Sequence, residues 1–256
     1  MRKLVIGDIH GALKALVQSL ERAKYTPKKD LLIFLGDYVD GWSESAELIE
    51  YLIELDSKAK YKSIFLLGNH DKWCKDWLNN GQSPMMWVQQ GGQATINSYI
   101  KTGYLTKDSH REFFNNCLNY YIDDENRGFC HGGFTSRKGL GHDPYEANYY
   151  WDRDLWNLAL MSDGRVHEGP EQYRRFEKHK EIYIGHTSTI NWNNKPHYKE
   201  YDGTNHPITV PMNRCNIWNM DTGGGFGGKV TVMNIDTKEY FQSDLVKELY
   251  PNELGR

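Results

Sequence analysis

Cysteine is scarce: Cys74, Cys117, Cys130 and Cys215 are the only four in 256 residues, and no two form a C-x-x-C pair. Thiols spaced so far apart suit neither a disulfide framework nor a structural zinc knot, so reduced cysteines inside a cell are expected. Long apolar runs are missing too. Leu4-Val5-Ile6 follows Met1-Arg2-Lys3 and is broken at once by Gly7-Asp8, too short for a signal peptide. No later run could span a bilayer, so a cytoplasmic protein with no membrane partner is expected. Charge of one sign is also lacking. The chain has 31 basic and 34 acidic residues, a formal net charge of -3, and this leaves no basic footprint for nucleic acid. A small anionic substrate is still compatible, because a bound metal ion can supply positive charge locally. The rest is ordinary for a globular protein: 39% hydrophobic and 25% charged, over a length that builds one substantial core.

The first seventy residues read as a repeated unit. Lys3 to Ile6 is an apolar run ending at Gly7-Asp8, and Leu13, Leu16, Val17 and Leu20 then recur at helical spacing. Leu31 to Leu35 ends at Gly36-Asp37 and is followed by Leu48, Ile49, Leu52, Ile53 and Leu55, again helical. A third run, Ile64 to Leu67, ends at Gly68-Asn69-His70. Apolar strands alternating with helices predict βαβ units, an α/β protein with a sheet covered on both faces. Ligands of such sheets bind at the carboxyl ends of the strands, so three distant polar clusters should meet at one sheet edge.

From about 71 to 126 the chain turns to aromatics and amides, among them Trp73, Trp77, Trp87 and Tyr99. A helical and irregular insertion over about 73–126, lying over the crevice as a cap within one domain of 1–256, is expected. Further strands are predicted at Gly128–Cys130, Ile182–Ile184, Cys215–Met220 and Lys229–Ile235. The last two flank a glycine-dense connection from Asp221 to Gly228 that suits a hairpin-like return.

The chemistry lies at the strand ends. Asp8 and His10 follow the first run, Asp37 and Asp40 the second, and Asn69 and His70 the third, while His131 and His186 each follow a later run with glycine beside them. Carboxylate and imidazole donors together suit zinc, iron or manganese rather than a thiolate site. Singly each is weak, since Gly-Asp after a strand is common turn chemistry. Five such clusters in one chain are not explained by turns.

Gly7-Asp8-Ile9-His10-Gly11, Gly36-Asp37-Tyr38-Val39-Asp40-Gly41, Gly68-Asn69-His70-Asp71, His131-Gly132-Gly133 and Gly185-His186-Thr187 together resemble the calcineurin-like metallophosphoesterase superfamily. Within it the similarity is to the phosphoprotein phosphatase branch of compact bacterial and phage serine/threonine phosphatases. The resemblance implies a four-layer α/β/β/α sandwich with a dinuclear site at the strand ends. It implies that Asp8 and His10 hold one metal, that Asp37 bridges two, and that Asn69, His131 and His186 complete the second. Two divalent ions, manganese first and iron or zinc as alternatives, would then activate a water against phosphate. His70 would act as general acid, oriented by Asp40.

The chain also departs from that pattern. Where the branch has Asp-Arg-Gly, with the arginine gripping phosphate, the sequence reads Asp40-Gly41-Trp42, and Asp71 stands where the branch has glutamate. Losing a bidentate donor should weaken the hold on a phosphomonoester dianion or alter substrate choice. Trp151-Asp152-Arg153 resembles a segment that carries a second phosphate-contacting arginine, which makes Arg153 the substrate-binding candidate; Arg137 reads as solvated. His110, His142, His167, His179, His197 and His206 read as surface or loop residues. Trp73, Trp77, Trp87, Trp192 and Trp218 read as packing rather than a base-stacking platform.

The function implied is hydrolysis of phosphomonoesters, in phosphoserine or phosphothreonine of a protein partner or in small phosphate esters. Dinucleoside polyphosphate hydrolysis and phosphodiesterase activity are the alternatives. A scaffold that has lost catalysis should have lost a ligand or the His-Asp pair, and this sequence keeps all eight residues.

Overall fold

Alternation of buried side chains sets the architecture. In β1 (Arg2–Ile6), Leu4 and Ile6 are buried on one face and Val5 on the other. β2 (Asp30–Phe34) repeats this, with Leu32 and Phe34 on the first face and Leu31 and Ile33 on the second. A strand covered on both faces belongs to the interior of a layered stack. The computed structural model describes residues 1–162, 171–192 and 207–256. His167, His197 and His206 lie outside the described residues, as does the side chain of Trp192.

β1 pairs in parallel with β2, and β2 with β3 (Ile64–Phe65), joined by the two anticipated helices, α1 (Leu13–Arg22) and α2 (Ser45–Lys58). A second sheet holds β4 (Tyr120–Ile122), β5 (Arg127–Cys130), β6 (Glu181–Ile184), β7 (Met212–Arg214) and β8 (Ile217–Asn219), in the order β4-β5-β6-β8-β7. The chain then returns to the first sheet, where β9 (Thr231–Asn234) runs antiparallel to β1 and β10 (Tyr240–Gln242) antiparallel to β9. The glycine-dense connection is therefore not a hairpin: β8 and β9 belong to different sheets, and the loop crosses from one to the other. β4, β7 and β10 were not anticipated.

Three cores separate four layers. Val5, Ile33 and Met233 meet Phe129, Tyr183 and Met220 between the two sheets. Phe129 and Tyr183 stack there with ring centroids 4.9 Å apart; fully burying one large apolar side chain contributes roughly 1.5–3 kcal/mol. The outer face of the first sheet is covered by α1, α2, α3 (Asn69–Asn80), α4 (Met85–Trp87), α5 (Gln93–Thr102) and α6 (Asp108–Asn116). Leu16, Leu52, Cys74, Trp87, Tyr99 and Phe114 share that core with Leu4 and Phe34, and Val246 of α9 (Val246–Leu249) joins them. The outer face of the second sheet carries α7 (Asn148–Trp151) and α8 (Asp154–Met161), whose Tyr149, Leu155 and Trp156 pack on Ile182 and Ile184. This is the α/β/β/α sandwich. The helices of 69–116 thus pack in the first sheet's core while their loops reach the crevice, where Gly91 O accepts the Gly41 N–H at 3.2 Å.

Trp73, Trp77, Trp87 and Trp218 pack into these cores as expected, and His142 is exposed. His110 and His179 are corrections to the surface reading. His110 is buried between Tyr99 Oη (3.0 Å) and Glu50 (2.8 Å). His179 is buried between the Leu140 N–H (2.9 Å) and Asn126 (3.0 Å).

Candidate active site

The strand ends of both sheets open on one crevice. Asp8 and His10 come from the loop after β1, Asp37 and Asp40 from that after β2, and Asn69 and His70 from the first turn of α3. His131 and His186 follow β5 and β6 of the other sheet. All eight side chains are at most 4% exposed. Four of them, His10, Asp37, Asp40 and His186, have positive φ (54°, 54°, 76° and 65°), a region that side chains other than glycine seldom adopt. Such strain persists where surrounding contacts over-determine the backbone, and the contacts here are dense. Asp71 accepts the N–H groups of Asp37 (2.6 Å), Tyr38 (2.9 Å) and Gly68 (2.9 Å), so one buried carboxylate pins two loops. A Cβ on Gly68 would overlap the Asp37 carboxylate, and one on Gly185 would overlap that of Asp8.

The arrangement calls for cations. Asp37 Oδ2 lies 3.5 Å from His10 Nε2 and 3.2 Å from His131 Nε2, with hydrogen-bond geometry to neither. Both imidazoles turn Nδ1 outward, His10 onto Val39 O at 3.0 Å and His131 onto Leu35 O at 2.9 Å. With Nδ1 engaged on a backbone carbonyl, each ring turns its Nε2 toward the carboxylate. Burial lowers His10 and His186 well below the usual histidine pKa. Burial alone would raise Asp37, but His131, His70 and His10 around it draw it well below the carboxylate range. Asp8 is pushed well above that range by burial and by the charges of Asp221 and Asp37. Convergent lone pairs and buried carboxylates of this kind are what a divalent ion offsets.

Two groups of donors could hold one. Asp8, His10 and Asp37 form the first, and Asp37, His131 and His186 the second, with the ligand atoms of each group within 4.8 Å of one another. Asn69 Oδ1 adjoins the second at 3.3 Å from His131 Nε2, and His186 Nε2 is buried with no hydrogen-bond partner among the described residues. Asp37 is common to both groups. The oxygen and nitrogen donors fit divalent ions of the manganese, iron and zinc type.

Beside them, His70 Nδ1 donates to Asp40 Oδ2 at 2.6 Å, while His70 Nε2 is buried without a partner among the described residues. Asp40 also accepts Trp87 Nε1–H at 2.7 Å and Thr95 Oγ1–H at 2.7 Å. Trp87 was expected to pack and Thr95 was not singled out; nothing local in the sequence links either to Asp40. Asp221, 3% exposed, is a further missed residue, and its Asp-Thr-Gly setting was the available signal. Arg153 turns toward the crevice, its Nη1 donating to His186 O (2.9 Å) and Thr187 Oγ1 (3.0 Å). Arg137 is exposed. Trp73 and Trp151 stand edge to face at 5.1 Å and line the crevice beside His70 and His186.

Residues 1–208 match the family model described as calcineurin-like phosphoesterase. The chain belongs to that family. This phosphoesterase is 32% identical over 239 residues to serine/threonine-protein phosphatase 1 of Salmonella typhimurium, covering 90% of each protein. It is 22% identical over 297 residues to the symmetrical bis(5'-nucleosyl)-tetraphosphatase of Pseudomonas fluorescens, covering 94% of each. To the enzyme of that name from Marinomonas sp. it is 41% identical, but over 71 residues that span only 24% of the relative. Its fold is similar to a crystal structure of a metallophosphoesterase from Sphaerobacter thermophilus, with a TM-score of 0.53 and 18% identity, covering 95% of this chain and 87% of that one. As a calcineurin-like phosphoesterase the protein is a hydrolase acting on phosphate esters.

Proposed function

We propose that this phosphoesterase is a two-metal phosphomonoesterase that removes phosphate from phosphoserine or phosphothreonine in proteins, with small aryl and alkyl phosphates as surrogate substrates. One observation carries the reading: Asp37 is the shared vertex of two ligand groups, and an independent His70–Asp40 pair stands alongside. Asp8, His10 and Asp37 would hold one ion, and Asp37, Asn69, His131 and His186 the other, with manganese the first candidate. Such ions supply Lewis-acid charge for the phosphate oxygens and bring the pKa of water toward neutrality. His70 Nε2, the buried nitrogen with no partner, delivers the proton that the departing alkoxide needs. Asp40 orients that ring and stabilises its charge, and Arg153 reaches the phosphate from the His186 side. The full-length likeness to a serine/threonine-protein phosphatase favours a phosphoprotein substrate. The four free cysteines fit the reducing cytoplasm.

A second reading, hydrolysis of dinucleoside polyphosphates, is favoured by the full-length likeness to a bis(5'-nucleosyl)-tetraphosphatase and by the Trp73–Trp151 pair, a face on which a nucleobase could stack. Rates on a phosphopeptide, diadenosine tetraphosphate and an aryl diester, with metal content measured on the same manganese-loaded sample, separate the readings. The phosphopeptide should be fastest, and Asp37→Asn or His70→Asn should abolish turnover. Faster cleavage of the dinucleotide would favour the second reading, and unchanged turnover in both variants would sink the assigned roles.

A further inference from the structure

The position that lacks an arginine in the sequence motif is covered by an arginine from far along the chain. Gly41 has φ +104°, where any side chain is strained, and its N–H is bound to Gly91 O, so an arginine could not occupy it without reshaping the loop. The next residue, Trp42, is 1% exposed; its indole N–H donates to Gly224 O at 2.7 Å and its ring stacks on Tyr250 at 5.3 Å. From Tyr250 onward the chain is fastened at successive points. Tyr250 Oη accepts the Lys14 N–H at 3.0 Å and donates to Glu44. Glu253 accepts the N–H (2.9 Å) and hydroxyl (2.7 Å) of Ser43. A Cβ on Gly255 would sit 2.7 Å from the Trp42 ring and 2.8 Å from Gly225 O. The Arg256 N–H donates to Gly225 O at 2.8 Å.

This path lays Arg256 over Gly41: its backbone N and Cβ lie 3.3 Å from where a Cβ on residue 41 would stand. The guanidinium reaches into the crevice, with Nη1 3.4 Å from His10 Nε2 and Nη2 3.4 Å from Gln90 Oε1, and its Cζ lies 5.3 Å from the Phe226 ring centre. Among the described residues its side-chain hydrogen bonds are to His10 and Gln90, and its charge also acts on the buried Asp8 and Asp221 carboxylates without an ion pair to either. Arg153 stands on the other side, against His186. Arg153 thus adjoins the ligand group that contains His186, and Arg256 the group that contains His10.

We propose that Arg256 is a substrate-binding residue that replaces the motif arginine: with Arg153 it clamps a phosphate dianion, one guanidinium beside each ligand group. The proposal rests on the reading of this cluster as a phosphoester site. It restores the monoester grip that the bare Asp40-Gly41-Trp42 segment lacks, because two forked donors match the oxygens of a dianion better than those of a diester.

The test compares full-length manganese-loaded wild type, Arg256→Ala and Arg256→Lys at equal measured metal content. Calorimetric titration with inorganic phosphate reads binding without turnover, and rates on p-nitrophenyl phosphate and bis-p-nitrophenyl phosphate read substrate choice. Arg256→Ala should weaken phosphate binding and raise KM for the monoester about 10- to 100-fold, the range for losing a hydrogen bond to a charged group. Diester turnover should change little, and Arg256→Lys should recover part of the loss. Unchanged or tighter phosphate binding by Arg256→Ala would overturn the proposal and make the side chain a plug over His10. Parallel loss of metal in both variants would overturn it as well, since Arg256 would then be structural. If wild type hydrolyses neither ester, the phosphomonoesterase reading fails, while the calorimetric comparison still judges Arg256.

Discussion

Replacing Asp40 by asparagine tests the proton-donor role proposed for His70 apart from the rest of the site. Asp40 Oδ2 accepts from His70 Nδ1 and Trp87 Nε1, and Oδ1 accepts from Thr95 Oγ1. An asparagine with its oxygen toward His70 and Trp87 keeps both bonds. Its NH2 can donate to Thr95 Oγ1, which turns its own proton to Ser45 Oγ, 3.0 Å away. Shape and packing are conserved, and what disappears is one negative charge beside an imidazole with no solvent exposure. Two unit charges about 4 Å apart at an effective dielectric of about 20 interact by about 4 kcal/mol. Protonated His70 loses up to that much, which converts to a slowing of at most about 10³ in a step that needs its proton. That falls inside the range of about 10² to 10⁴ typical of general acid catalysis.

The assay is kcat for three leaving groups of rising basicity, p-nitrophenyl phosphate, phosphotyrosine and phosphoserine, at equal metal content. p-Nitrophenolate departs unaided, so Asp40→Asn should cost it little. Tyrosine, whose hydroxyl has a pKa of about 10, should show an intermediate loss, and serine the full one. An equal loss on all three substrates would refute the argument, because Asp40 would then act on something other than His70's proton.

Two further outcomes follow from the packing. Gly68 has ordinary dihedrals (φ -87°, ψ 168°), so Gly68→Ala is purely steric: its Cβ must displace the Asp37 backbone and carboxylate. We expect metal content below two ions per chain and an overpacking cost of about 1–3 kcal/mol, read as a fall in Tm of several degrees; a variant that keeps both ions and its Tm would contradict the geometry. His179 Nε2 accepts the Leu140 N–H, and burial, helped by His142, lowers the pKa of His179. A folded pKa below the unfolded value of about 6.5 means the unfolded chain binds more protons on acidification, so this stabilisation is present above about pH 6.5 and lost toward acid at up to about 1.4 kcal/mol per pH unit. Tm should therefore fall between pH 7 and 5.5, and His179→Gln, whose amide can accept from Leu140 and donate to Asn126, should flatten that slope; an unchanged slope would count against it.

The parts of this molecule that were legible in the sequence share one property: the signal and its cause are neighbours in the chain. Leu4-Val5-Ile6 followed by Gly7-Asp8 states a buried strand and its polar, crevice-facing end within five residues, and the same holds after Phe34, Leu67, Cys130 and Ile184. What could not be read depends on partners far away. His110 is buried because Glu50, 60 residues back, takes its N–H; Asp40 is held by Trp87 and Thr95, 47 and 55 residues on. The glycine-dense loop misled for a related reason. A hairpin would explain its glycines locally, but a Cβ on Gly224 would sit 2.6 Å from Asp8 O, and one on Gly225 would sit 2.6 Å from the His10 ring. Those glycines are needed because the loop passes against the site as it crosses between sheets.

Gly41, too, answers to a residue far along the chain. Read along the chain, Asp40-Gly41-Trp42 is a motif with its arginine deleted, and a weaker hold on phosphate follows. In space, the loss is half of an exchange. Trp42 fills the layer beneath Tyr250, Ser43 and Glu44 take up Glu253 and Tyr250, and the room left above Gly41 is occupied by the backbone and Cβ of Arg256. A side chain at 41 would crowd residue 256 in this place, since a Cβ there would lie 3.3 Å from Arg256 N, closer than ordinary contact, before any longer group was added. If the exchange is functional, then restoring the motif by Gly41→Arg should weaken the site rather than improve it, because the new side chain displaces the segment that ends in Arg256. A more active Gly41→Arg enzyme would mean that the covering segment is only packing, and that the phosphate grip was lost after all.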